Sequence, residues 1–173
     1  MGISVRPTAG ERLVPMLEDR KLDTWAHLPY LRDVARGSVL EVGVQYGIST
    51  TALLAGVEEH GGHVWSLDVF AACRYVWYGH PQWTFHDLRG DGVPEPALPL
   101  DVLFIDGDHS YGAVLADLET WAPQVRSGGM VLCHDADTPA FPGVRQAIDE
   151  YCSRRGLLHE LRTGSHGLEV IHV

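Results

Sequence analysis

SVLEVGVQYGISTTALLAGVEE, residues 38–59, decides how the rest of the chain is read. Val39, Leu40 and Val42 bracket a single glutamate and read as a buried strand over 38–43. Gly43 and Gly47 then permit a tight turn, and helix formers follow over 48–58. The pattern strand, glycine turn, helix recurs downstream. HVWSLDVF (63–70), QWTFHD (82–87), DVLFID (101–106) and GMVLCH (129–134) are strand-like. Helices are expected over 111–121 and over 142–155, the latter with Pro142 in its first turn. Upstream, residues 11–36 predict one or two helices with a break near Lys21–Thr24, behind a loose arm over 1–10. The tail LLHELRTGSHGLEVIHV predicts two short strands around Thr163-Gly164-Ser165-His166. Strands alternating with helices specify an α/β fold, with a mostly parallel sheet and helices on both faces.

Ligands of such sheets bind outside the carboxyl ends of the strands. Glu41 and Gly43, Asp68, Asp87, Asp106, and the pair His134 and Asp135 all fall at predicted strand ends. Five strands carrying polar residues to one rim point to a ligand there. In LEVGVQYGIST (40–50) the glycine spacing is G-x-x-x-G, unlike the G-x-G-x-x-G of dinucleotide-binding dehydrogenases. Glu41 would repel a pyrophosphate and suits a cationic group instead. Ser49 or Thr50 is expected to cap the following helix and to touch the same ligand. Asp68 ends the second strand 25 residues after Gly43, where an acidic residue accepts both hydroxyls of a ribose. Asp87 is placed to accept an adenine amino group, with Leu88 against the ring; Tyr46 and Val69 complete the candidate cofactor contacts.

FIDGDHSYG (104–112) and CHDAD (133–137) carry the reactive groups. Asp106, His134 and Asp135 would meet in one crevice as two carboxylates and an imidazole, a donor set for a hard or borderline divalent ion. The alternative is that Asp135 and Asp137 cap the next helix while Asp106 binds cofactor only. His109 is the best general base, because an unperturbed imidazole titrates near neutrality; the competing reading has it bonding only a backbone carbonyl. Val114, Leu118 and Trp121 have helical spacing and read as core. Tyr75, Trp77 and Tyr78 form an aromatic cluster that suits either a substrate wall or a self-association patch.

Composition excludes several classes. Of 173 residues, 45% are hydrophobic and 21% charged, ordinary for a globular protein. Thirteen basic against 23 acidic residues leave a net charge of −10, which argues against a nucleic-acid or anionic-membrane partner. No apolar run approaches the roughly 20 residues of a membrane span. The start MGISVRPTAGERL has no signal-peptide core, and Arg6 stands where a myristoylation signal needs Ser or Thr. A cytoplasmic protein is expected. The three cysteines form no C-x-x-C, so neither a metal cluster nor a disulfide framework is expected.

EVGVQYGIST, LDVF and FIDGDHSYGAVLADLETWAPQVRSGGMVLCHDA together resemble the class I S-adenosylmethionine-dependent methyltransferases. Within them the chain is similar to the small-molecule O-methyltransferase branch that includes macrocin- and mycinamicin-type sugar O-methyltransferases and cephalosporin-hydroxylase-like proteins. The resemblance covers roughly residues 36–173. It implies a Rossmann-like sheet of seven strands with the last antiparallel, S-adenosylmethionine over the first four strands, and Glu41 toward the amino group of the methionine moiety. It also implies a divalent metal, Mg²⁺ or Mn²⁺, at Asp106, His134 and Asp135. Here the chain departs from its relatives: His134 replaces a residue that is usually Asp or Glu, which weakens the case for Mg²⁺ and points to Mn²⁺, Fe²⁺ or Zn²⁺. His109 falls where some sugar-methylating relatives carry their proposed base. The expected organisation is an N-terminal arm with helices over 1–36 and a single methyltransferase domain over 37–173. With so short an N-terminal segment the acceptor side would be shallow unless the N-terminal helices or a second subunit cover it; a homodimer is expected. The expected reaction is methyl transfer to a hydroxyl of a small molecule, a sugar or phenolic natural product. Its rivals are a metal-independent enzyme with a histidine base and a cofactor-binding module without catalysis.

Overall fold

The computed structural model describes residues 6–91 and 98–173. Helix α1 (Ala9–Met16) opens the chain with a capping box: the Thr8 hydroxyl accepts from Glu11 N–H, and the Glu11 carboxylate accepts from Thr8 N–H. The expected loose arm therefore ends at Thr8, and its residues 1–5 lie outside the described residues. A short 3-10 turn (Trp25–His27) leads into α2 (Leu28–Val34), after the break foreseen near Lys21–Thr24. Then come β1 (Gly37–Val42), α3 (Ile48–His60), β2 (Gly62–Asp68), β3 (Trp83–Asp87), β4 (Leu100–Ile105), α4 (Tyr111–Trp121), β5 (Val125–His134), α5 (Pro142–Arg155), β6 (His159–Arg162) and β7 (Leu168–His172).

The seven strands form one sheet in the order β3-β2-β1-β4-β5-β7-β6. β1 to β5 pair parallel to one another, and β7 runs antiparallel between β5 and β6. This is the Rossmann-like sheet with a reversed last strand. β5 is longer than the expected 129–134, because RSGG is carried within the strand as a register shift against β4. The pattern of apolar residues along the central strands explains the two layers. Side chains alternate across a sheet, so Val39, Val102, Phe104 and Leu132 pack beneath α1, α2 and α3, whereas Leu40, Leu103, Ile105, Val131 and Cys133 pack on α4 and α5. The N-terminal helices bury Ala9, Leu13, Leu28 and Leu31 in the first of these layers. All three cysteines are free and buried. Among the described residues, no helix is long and apolar enough to cross a membrane.

Candidate active site

The strand ends of β1, β2, β4 and β5 open into a cleft of about 980 Å³, large enough for a nucleotide-sized ligand together with a small acceptor. Its walls include Gly43, Tyr46, Ser49, Asp68, Val69, Leu88, Asp106, His109 and Asp135. Five other candidates, Glu41, Gly47, Thr50, Asp87 and His134, stand behind these walls rather than on them.

Glu41 is the clearest correction. It precedes the strand end by one residue and points to the α3 side of the sheet, where it is fully buried. Its carboxyl accepts hydrogen bonds from Ser49 Oγ (2.7 Å), Thr50 Oγ1 (2.7 Å) and Ser66 Oγ (2.6 Å), and Ser66 in turn accepts from Trp83 Nε1. Ser49 and Thr50 therefore do not cap α3; Gly47 is its N-cap residue, with φ +75° and no side-chain cap. Burial pushes the Glu41 carboxyl up to about 7; its three hydroxyl donors oppose the shift and the nearby Asp106 charge adds to it.

A stability prediction follows from that shift. The folded pKa lies above the unfolded value of about 4.5, so this contribution is fully present below pH 4.5 and is lost as pH rises through about 7. The loss amounts to about 3 kcal/mol. Glu41→Gln, still able to accept from the hydroxyls, should flatten the pH dependence between pH 4.5 and about 7. Urea denaturation across that range measures it, and an unchanged slope would show that Glu41 ionises freely.

Asp68 ties the glycine turn to β2. Its Oδ2 accepts from the Val44 and Gln45 amides (2.9 and 3.1 Å), and Oδ1 accepts from Phe70 N–H (2.8 Å). Asp87 sits beside it in register but is turned into its own loop, accepting from Arg89 N–H at 2.9 Å with Arg74 4.0 Å away. The following Leu88 and Arg89 reach the cleft instead. The rim is apolar, with Tyr46 and Phe70 78% and 63% exposed. In the aromatic cluster, Trp77 is buried beneath Arg12, 4.0 Å from its ring centre, whereas Tyr75 and Tyr78 are exposed and lie away from the cleft wall.

At the β4–β5 side the polar groups converge. Ligand atoms of Asp106, His134 and Asp135 all lie within 4.8 Å of one another. His134 Nδ1 is 3.3 Å from Asp106 Oδ1 and 3.1 Å from Asp135 Oδ2. His109 Nε2 approaches Asp135 Oδ2 at 2.9 Å and Asp106 Oδ1 at 3.8 Å. These are charge contacts: the ring N–H is not aligned for a hydrogen bond, and Nε2 is a buried atom without a hydrogen-bond partner. The His109 ring stacks on Phe141, with centroids 4.1 Å apart. Asp106 and Asp135 push His109 up to about 9. Burial opposes the charge on His134, yet the same two carboxylates raise it to about 10, and both carboxyls are held below their usual range. Asp135 adopts φ +59°, a left-handed conformation that aspartate tolerates better than most residues.

Among the cleft residues that the sequence did not single out, three bear on the chemistry. His166, in the β6–β7 turn, places Nδ1 3.0 Å from Asp135 Oδ1. Phe141 supports His109. Asp117, on α4, lines the cleft and is pushed up to about 6 by burial and by Asp108. His166 and Phe141 stand in turns with no local chemical signature, and Asp117 sits in a helix whose periodicity reads as core.

The model of a methyltransferase domain family matches residues 40–136, more than half of the chain. The chain belongs to this methyltransferase family. No curated protein matches it. Among solved structures, this methyltransferase is similar to the O-methyltransferase NovP (20% identity, TM-score 0.64, covering 86% of this chain and 79% of that one). It is also similar to the O-methyltransferase from Bacillus cereus in complex with SAH (15%, 0.64, 99% and 93%). A third is the MycE methyltransferase from the mycinamycin biosynthetic pathway in complex with Mg, SAH and mycinamycin VI (16%, 0.62), of which this chain covers 54% while 92% of its own length is matched. These likenesses establish the shared fold.

Proposed function

We propose that this methyltransferase moves a methyl group from S-adenosylmethionine to a hydroxyl oxygen of a small molecule, a sugar or a phenolic natural product, with help from a divalent cation. The observation that carries the reading is the position of His109, Asp106 and Asp135 on the wall of the same cleft as Asp68 and the glycine turn. The first group can handle a proton; the second can hold a nucleoside. Structures similar in fold were described with SAH, and one of them with Mg as well.

The residues present fit both groups. Asp68 engages three amides, leaving about one carboxylate lone pair for a ribose hydroxyl, and Gly43 leaves the turn without a side chain. The carboxylates of Asp106 and Asp135 share His134 and His109 as their counter-charges. Bound S-adenosylmethionine supplies an electrophilic methyl on a sulfonium. A bound divalent cation supplies a Lewis acid that lowers the pKa of an acceptor hydroxyl. The chain's own contribution is alignment and proton transfer. If a cation held by Asp106 and Asp135 offset their charge, His109 Nε2 would stand where it could accept the hydroxyl proton. Phe141 fixes the plane of that ring. Asp23 and Thr24 bring the N-terminal segment to the acceptor side of the cleft.

Calorimetric titration with S-adenosylmethionine is the decisive measurement, and absence of binding would overturn the proposal. Asp68→Ala should weaken binding by about 10- to 100-fold, the value of hydrogen bonds to a charged group; unchanged affinity would remove Asp68 from the ribose site. The three unpaired cysteines favour a reducing, cytoplasmic location. A homodimer covering the open acceptor side remains part of the proposal, and sedimentation velocity tests it: a monomer at working concentration would discard it.

A further inference from the structure

We infer that the cation site is built for a borderline transition ion that accepts an imidazole nitrogen, such as Mn²⁺, Fe²⁺, Co²⁺ or Zn²⁺, in preference to Mg²⁺. The inference rests on the metal-assisted reading above and concerns which ion that site selects. Its basis is the tautomer of His134. The side chain is 1% exposed, and Nε2 lies 2.8 Å from the carbonyl oxygen of Ser165. A carbonyl only accepts, so Nε2 carries the hydrogen. Nδ1 is then the ring atom left to bind an ion, and it faces Asp106 Oδ1 and Asp135 Oδ2 at 3.3 and 3.1 Å. Positive charge among these three atoms, whether a proton on Nδ1 or a divalent ion that displaces it, offsets the two carboxylates.

The carbonyl that sets this tautomer is held from several sides. Gly164, Ser165, His166 and Gly167 all have positive φ, from 41° to 93°, which curls the turn over the end of β5. His27 Nε2 lies 2.7 Å from the Gly164 carbonyl, Ala26 N–H donates to Ser165 Oγ (2.9 Å), and Asp137 N–H donates to the His166 carbonyl (2.7 Å). The N-terminal segment, the β5–α5 loop and the final hairpin thus jointly present Nδ1 as a ligand. Backbone carbonyls orient metal-binding histidines in this way. Asp135 Oδ1 is engaged by His166, so Oδ2 faces the ion position. The donor set is one nitrogen and two oxygens. Magnesium prefers an all-oxygen octahedron and sheds water reluctantly, whereas imidazole raises affinity for later divalent ions.

The test uses the full chain stripped of metal with a chelator, then titrated separately with Co²⁺, Mn²⁺ and Mg²⁺ by calorimetry. Co²⁺ and Mn²⁺ should bind more than about 10-fold tighter than Mg²⁺. Electron spin-echo spectra of the Mn²⁺ form should show imidazole nitrogen coupling that survives in His109→Ala and disappears in His134→Asp. The aspartate variant should also shift the preference toward Mg²⁺. Equal affinity for Mg²⁺, or absence of nitrogen coupling in the unaltered chain, would overturn the inference, and both readings stand even if His134→Asp fails to fold. Coupling that persists in a folded His134→Asp would overturn it as well. S-adenosylmethionine titration in the same samples separates the two proposals: cofactor binding without ion preference defeats only this one.

Discussion

His109→Ala should lower methyl transfer by about 10²- to 10⁴-fold while leaving S-adenosylmethionine affinity unchanged. The expectation comes from geometry. Nε2 stands beside the two strand-end carboxylates, 2.9 Å from Asp135 and 3.8 Å from Asp106, yet has no hydrogen-bond partner of its own. A histidine with a purely structural role would satisfy that nitrogen. The ring's apolar face is supported by Phe141, and it separates the main cleft from a shallower depression formed by Asp108, Tyr111 and residues 140–143. Single-turnover transfer, followed by mass with an acceptor drawn from a panel of sugars, catechols and simple phenols, measures the loss. His109→Gln, which keeps polarity without basicity, should be as slow as His109→Ala. A glutamine variant near wild-type rate would reassign the base.

Gly43→Ala should destabilise the fold by about 3–5 kcal/mol and eliminate cofactor binding. Gly43 adopts φ +94°, and a Cβ there would sit 2.1 Å from the Asp106 carbonyl oxygen and 2.6 Å from its carbon. That obstacle is backbone at the end of β4, so relief requires moving Asp106 itself. The turn therefore needs glycine chiefly because β1 and β4 approach so closely at their carboxyl ends. Gly47→Ala provides the comparison. Its φ is +75° and its nearest obstacle, at 2.1 Å, is the Val76 side chain, which can shift. It should cost only about 1–2 kcal/mol. Chemical denaturation of both variants orders the two effects; a larger loss at Gly47 would contradict the account.

Local sequence was sufficient for the order of elements. α4 and α5 span Tyr111–Trp121 and Pro142–Arg155, where helix periodicity and Pro142 placed them, because these signals act within one or two turns. It was also sufficient for the family and for the strand-end positions of Asp68, Asp106 and Asp135, since the chemistry of an α/β sheet lies where each strand stops. The start of α1 was missed: residues 1–10 were expected as a loose arm, whereas the helix begins at Ala9 behind the Thr8–Glu11 capping box.

What a side chain faces was decided by tertiary structure. Glu41 looked like a ligand contact by position, but alternation along β1 turns it toward α3, and its neighbours Ser49, Thr50 and Ser66 come from two other elements. His166 reaches Asp135 across 31 positions of sequence, and His27 secures the Gly164 carbonyl across 137. No local pattern encodes such pairs. Residue types and strand order determined that two carboxylates and a histidine would stand at the ends of β4 and β5. Only the packed hairpin decided which nitrogen of His134 faces the two carboxylates, because that choice belongs to a carbonyl supplied from elsewhere in the fold.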